Sequence, residues 1–184
     1  MRTLSDPDTV FARRFVEEAK HALRFLHDDL GFEGPCVGQG PFAVWVTFKG
    51  AATGVKAKFD TLDRIIEVVV VKLVDGYLPP YDETESTHYV GVVSLASLRG
   101  ETANDLELRS LSGEELRRVL GRSAEVVKQF GDILRGDFRR FDEAIAERRA
   151  HIARLEADYQ RELADEETRS MRRRFTRWFG RRRR

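Results

Sequence analysis

Apolar residues recur at helical spacing near the start of the chain, where Phe11, Phe15, Ala19, Ala22, Leu23, Leu26 and Leu30 form one stripe of a helix expected over about 8–30. Ser5 or Asp6 is its cap, Pro7 sits in its first turn, and Gly31 stands just past its end. Such a stripe needs a sheet or another helix to cover it. The period then drops to two. Phe42, Val44, Val46 and Phe48 alternate with Ala43, Trp45 and Thr47, and Val55, Ala57 and Phe59 alternate with Lys56, Lys58 and Asp60. Residues 65–74, dense in valine and isoleucine, predict a central strand covered on much of both faces. Short connections make these three an antiparallel meander. Residues 31–41 carry four glycines and two prolines and are expected to be a loop. Residues 88–95 form either a fourth strand or, from Ser94, a short helix.

Helical spacing returns in the second half. Ser112-Gly113-Glu114-Glu115 has the capping-box pattern, and Leu116, Val119, Leu120, Val127 and Phe130 fall on the inner face of the helix it starts, which ends near Gly131. Asp137 caps a last helix. Along it Phe138, Phe141, Ile145, Ile152, Leu155 and Tyr159 step by three, four, seven, three and four, a heptad-like seam for self-association broken by Arg148. No Pro or Gly interrupts 138–179, so one helix of ~60 Å is expected, with Asp165-Glu166-Glu167 as the place for a break. The pattern as a whole predicts an α+β fold, a mainly antiparallel three- to four-stranded sheet packed by helices, with a long C-terminal helix. It divides into a body at 1–136, a charged helix at 137–170 and an arginine-rich aromatic tail at 171–184.

Composition refines this picture through charge. The 184 residues are 41% hydrophobic and 34% charged, which excludes collagen-like, mucin-like and wholly disordered chains. The net charge of +1 conceals a segregation: of 32 bases, eight are arginines in 171–184, leaving 24 against 31 acids in the rest. A tail of that sign suits a negative partner. Its candidate binding residues are Arg172, Arg173, Arg174, Phe175, Arg177, Trp178, Phe179, Arg181, Arg182, Arg183 and Arg184. On a helix Met171, Phe175, Trp178 and Phe179 share a face, the pattern of a basic interfacial helix for an anionic membrane surface or an acidic protein. Arginines interleaved with aromatics equally suit phosphates and unpaired bases of nucleic acid. Docking on the acidic remainder of the chain, or of a second copy, is the third reading.

The most nearly apolar stretch, 65–74, is broken by Glu67 and Lys72 and falls short of the ~20 residues of a membrane span. The N-terminus has no apolar run with a cleavage site, and the single cysteine, Cys36, closes no internal disulfide. A cytoplasmic location is expected, peripherally membrane-associated if the tail meets lipid.

Catalytic signals are sparse. Glu18 and His21 have E-x-x-H spacing, but a di-iron site needs a second such pair, which Glu147 and His151, four apart, do not supply. Cys36 with His88 is a conceivable thiol–imidazole pair whose proximity nothing in the sequence fixes. Gly38-Gln39-Gly40 precedes a strand and lacks the third glycine of a dinucleotide fingerprint. The acids Asp60, Asp63, Asp82, Glu83 and Glu85 read as solvated loops. No catalytic residue, metal or cofactor is expected.

The segment Phe130-Gly131-Asp132-Ile133-Leu134-Arg135-Gly136-Asp137-Phe138, following an amphipathic helix and a meander that carries Trp45, resembles a pattern in small uncharacterised bacterial α+β proteins, some of them immunity-protein-like. The resemblance covers residues 8–141 and brings no catalytic residues. It implies a non-enzymatic bacterial protein-interaction module with a protein partner, to which this chain adds a C-terminal helix for self-association or anchoring. The alternative is a nucleic-acid-associated protein that binds through the arginine-rich tail.

Overall fold

A computed structural model describes residues 6–79, 87–102, 106 and 112–180, with backbone alone for 6–8, 165 and 167–180. The chain divides into two units, Met1–Ile145 and Ala146–Arg184. The boundary falls inside the last helix, whose first turns belong to the body.

The body is α+β. Helix α1 (Asp6–Ala22) is followed by the single turn α2 (Phe25–Asp28). The continuous helix expected to about residue 30 is interrupted where Arg24 N bonds His21 O at 3.4 Å, a three-residue reach that tightens the chain and re-aims Leu26 into the core. Gly31, at φ +68°, turns the chain out of the helix. Five strands then form one antiparallel sheet in the order β1-β2-β3-β4-β5: β1 (Glu33–Gln39), β2 (Ala43–Lys49), β3 (Thr53–Asp60), β4 (Ile65–Lys72) and β5 (Tyr89–Gly91).

The meander of β2 to β4 falls where the alternation placed it. Residues 33–39, expected as loop, are instead the edge strand β1. An edge position tolerates Pro35, because one side of the strand has no ladder to break. Gly38 lies opposite Trp45, whose indole occupies the space a Cβ would need, so an aromatic ring covers the glycine backbone. The two readings of 88–95 are both partly realised: β5 is followed directly by helix α3 (Val92–Ser97).

Register puts Val44, Val46 and Phe48 of β2, Val55, Ala57 and Phe59 of β3, Ile66, Val68 and Val70 of β4, and Val90 on one face. This face carries the core. Over it pack α1, through Phe11, Phe15 and Ala19, and α4 (Gly113–Gln129), through Leu116, Val119, Leu120 and Val127. Ser112 caps α4: its Oγ accepts from Glu115 N at 3.1 Å, while the Glu115 carboxylate accepts from Arg118. The short α5 (Gly131–Leu134) closes the layer, and the buried Thr53 hydroxyl donates to Leu134 O at 2.9 Å, linking β3 to it. On the opposite face Val69, Val71 and Tyr89 form a small separate cluster, which accounts for the two-sided burial of β4.

The last helix, α6 (Arg139–Gly180), runs for 42 residues and has no break at 165–167. Asp137 caps it by accepting from Arg139 N at 3.2 Å. The Arg139 guanidinium bonded to Asp137, and then that same backbone N–H, draw the carboxyl down to about 2. At 1.5 Å per residue the helix is about 63 Å long.

Candidate interaction surfaces

Three surfaces stand out among the described residues. The first surface lies where α1 leaves the sheet uncovered. Val44 and Val46 are sealed under the helices, whereas Val37, on the same face of the neighbouring β1, is 50% exposed. Between them runs a groove of about 520 Å³ lined by Thr9, Ala12, Arg13, Val16 and Glu17 of α1, Val37 and Gln39 of β1, and Val44 of β2. Glu17 is held by Lys20 at 2.9 Å. Arg13, on the same wall, is exposed and has no ion pair among the described residues.

The backbone of β1 is as informative as its side chains. Gly40 N donates to Ala43 O at 2.8 Å, which makes Gly40–Ala43 a hydrogen-bonded pair. Such pairs alternate along an antiparallel ladder, so Gly38–Trp45 and Cys36–Thr47 are also bonded. Val37 and Gln39 therefore turn their N–H and C=O groups away from β2, toward the open edge of the sheet.

The second surface is the face opposite the core. Trp45 stacks under the Lys56 ammonium at 4.9 Å from the ring centroid, and Lys49 lies 5.6 Å from the Tyr77 ring. Burial, and then the neighbouring Lys58, hold the Lys56 ammonium below its ordinary range, with Glu67 opposing them. Lys58 pairs with Asp60 at 3.2 Å and stands opposite Glu67 in the ladder. Asp60 and Glu67 thus stand among Lys49, Lys56 and Lys58 on this face.

The third surface is on α6. Of the six seam residues expected from the sequence, Phe141 and Ile145 are buried in the body's core and Phe138 packs against it. Ile152, Leu155 and Tyr159 are more than half exposed at 54%, 56% and 59%, and Leu163 follows at 38%. The half of the row available to a partner is therefore the distal half. The tail residues Arg172, Arg173, Arg174, Phe175, Arg177, Trp178 and Phe179 lie on the α6 backbone, with side chains outside the described set; Arg181 to Arg184 lie outside the described residues altogether.

The thiol–imidazole pairing is overturned. Cys36 is exposed on β1 at one edge of the sheet, and His88 bonds Lys72 N through its carbonyl at the other edge, beside β4. Four inter-strand spacings put them about 19 Å apart, far outside proton-transfer reach. Glu18 faces Arg117 at 3.7 Å, and His27 Nδ1–H donates to Phe32 O at 2.9 Å, a local contact at the end of α2. Asp60 Oδ1 accepts from Leu62 N and Asp63 N, so it organises the turn before β4. Asp82, Glu83 and Glu85 lie outside the described residues. Among the described residues no three His, Cys, Asp or Glu side chains converge, and no helix is long and apolar enough to cross a membrane.

Reading 31–41 as loop hid Val37, Gln39 and the groove. The signal for them was present: Cys36-Val37-Gly38-Gln39 has a strand's alternation, and a glycine set against a tryptophan is a cross-strand pairing cue. The chain matches no protein-family model, no curated protein and no solved structure.

Proposed function

We propose that this protein is a non-enzymatic interaction module that pairs with a second copy of itself through α6. The observation that carries the reading is the exposed row Ile152, Leu155, Tyr159 and Leu163, spaced three, four and four along a helix. Helical rows of this kind are stabilised by burial against a partner. The charges beside the row favour a second copy as that partner. Arg149 and His151 flank its beginning, Glu156 and Asp158 its middle. With the copies antiparallel about Ile152 and Leu155, Arg149 of one meets Glu156 of the other and His151 meets Asp158. A parallel pair would instead align the two arginine clusters at 171–184.

Sedimentation equilibrium tests this directly. The wild type is expected to dimerise in the micromolar range, and Leu155→Glu to weaken the dimer about 100-fold, because a carboxylate then enters an apolar seam from both copies. Arg149→Glu should weaken it less, and adding Glu156→Arg should restore it. A wild type that stays monomeric, or a Leu155→Glu variant of unchanged mass, overturns the reading.

The segregated charge of the sequence supports a second reading, contact of the tail with nucleic acid. Eight arginines and three aromatics in 171–184 match phosphate neutralisation with base stacking. In a gel shift with single-stranded polynucleotide, the full chain should bind and a chain ending at 170 should not. Affinity should fall about a thousandfold or more between roughly 50 and 200 mM salt if most of the arginines engage phosphates. Equal shifts for both chains exclude this role for the tail.

A further inference from the structure

The edge of the sheet offers a second interaction site, independent of α6. The geometry points to β1 and α1 as a receptor for an extended peptide of a partner protein, added to the sheet as a sixth strand with an apolar side chain in the groove and an acidic one beside Arg13.

Three features converge on this occupant. First, Val37 and Gln39 present N–H and C=O groups outward at alternate positions, the pattern an incoming strand pairs with. Second, the same two residues turn their side chains into the groove, so main-chain pairing and side-chain insertion are in register. A strand set beside β1 directs every second side chain toward the same face, between Val37 and the α1 residues Ala12 and Val16. The groove's 520 Å³ suits one or two side chains of valine-to-phenylalanine size.

Third, the charge selects among peptides. Lys20 already satisfies Glu17, while Arg13 is exposed and without an ion pair among the described residues. A peptide carrying Asp or Glu two residues from its apolar anchor supplies the missing partner. Natural sheets blunt an open edge with a proline, a bulge or a charge. Here Pro35 and the register shift between Glu33 and Cys36 do so for the first half of β1 only. Among the described residues the stretch from Cys36 to Gln39 has no strand on its outer side, and it is the stretch that borders the groove.

Selection of a random heptapeptide display library on the full-length chain tests the proposal, with affinities of the selected peptides measured by titration. Peptides with an apolar–x–acidic pattern are expected. Val37→Pro removes an outward N–H at an edge position where proline leaves the ladder to β2 intact, so the fold should persist by circular dichroism while affinity falls about tenfold or more. Arg13→Glu should shift the selected pattern from acidic to basic. Bound peptide should slow amide exchange at Val37 and Gln39. Leu155→Glu should leave peptide affinity unchanged, which separates this site from the α6 seam. Failure to select any peptide, or peptides that bind Val37→Pro as tightly as the parent, overturns the proposal. So does loss of dimer in Val37→Pro, which would make the edge a contact between copies.

Discussion

Phe59→Ala is expected to lower the unfolding free energy by about 3–5 kcal/mol. Phe59 is fully buried on β3, the central strand. Its ring meets Phe11 at 4.8 Å and Phe15 at 5.8 Å between centroids, both tilted, so it joins the sheet to two successive turns of α1. Truncation removes a ring from two aromatic neighbours that backbone constraints hold apart, and a cavity remains because neither α1 nor β3 can close alone. Urea unfolding followed by tryptophan fluorescence should show a lower midpoint with little change in slope. A loss below about 1 kcal/mol would mean that this junction collapses freely, contrary to close packing.

Those contacts were readable from period alone. Phe11, Phe15 and Ala19 fell on one stripe, and Phe59 on the inward positions of an alternating strand, because burial on one face imposes 3.6-residue and two-residue periods. Capping was equally plain: the side chains of Ser112 before α4 and Asp137 before α6 accept backbone bonds from Glu115 N and Arg139 N. The errors arose where local rules gave way to tertiary context. Glycine and proline weaken a strand in isolation, yet at the sheet edge Pro35 interrupts no ladder and Gly38 is covered by Trp45. The division of α1 from α2 has no breaker residue at all. It follows from a tightened turn beside two fully buried leucines, Leu23 and Leu26, and no local propensity encodes it.

The interaction surfaces were half legible for a related reason. Periodicity reports that a residue wants burial, not against what. The seam from Phe138 to Tyr159 reads as one row broken at Arg148, and the pattern does not say that its first half is satisfied within the body while its second half faces solvent. Conversely, the peptide groove depends on where α1 stops covering the sheet, a property of packing between residues about thirty positions apart. Cys36 and His88 are the opposite case. Residue types suggested chemistry, and strand order placed them on opposite edges.

Phe141→Ala should separate the two halves of that row experimentally. Phe141 is fully buried and meets the Phe138 ring edge-on at 5.8 Å. Around it Lys72 lies 4.5 Å from the Phe138 ring and Arg140 4.5 Å from that of Phe130, with Arg140 also 3.5 Å from Asp132. The polar contacts are partly exposed and worth little singly, so the phenylalanine dominates the docking of the first turns of α6 onto α5 and β4. Its loss should cost about 3–5 kcal/mol and lower the melting temperature by about 10 °C. The comparison belongs in a Leu155→Glu background, where association no longer adds to apparent stability by mass action. In the otherwise wild-type chain at low temperature, Phe141→Ala should leave the dimer constant unchanged, since Phe141 is buried within the core and is not one of the exposed residues Ile152, Leu155 and Tyr159. If Phe141→Ala instead abolishes the dimer while the body stays folded by near-ultraviolet circular dichroism, the seam extends into the body and its assignment to the distal half of the row is wrong.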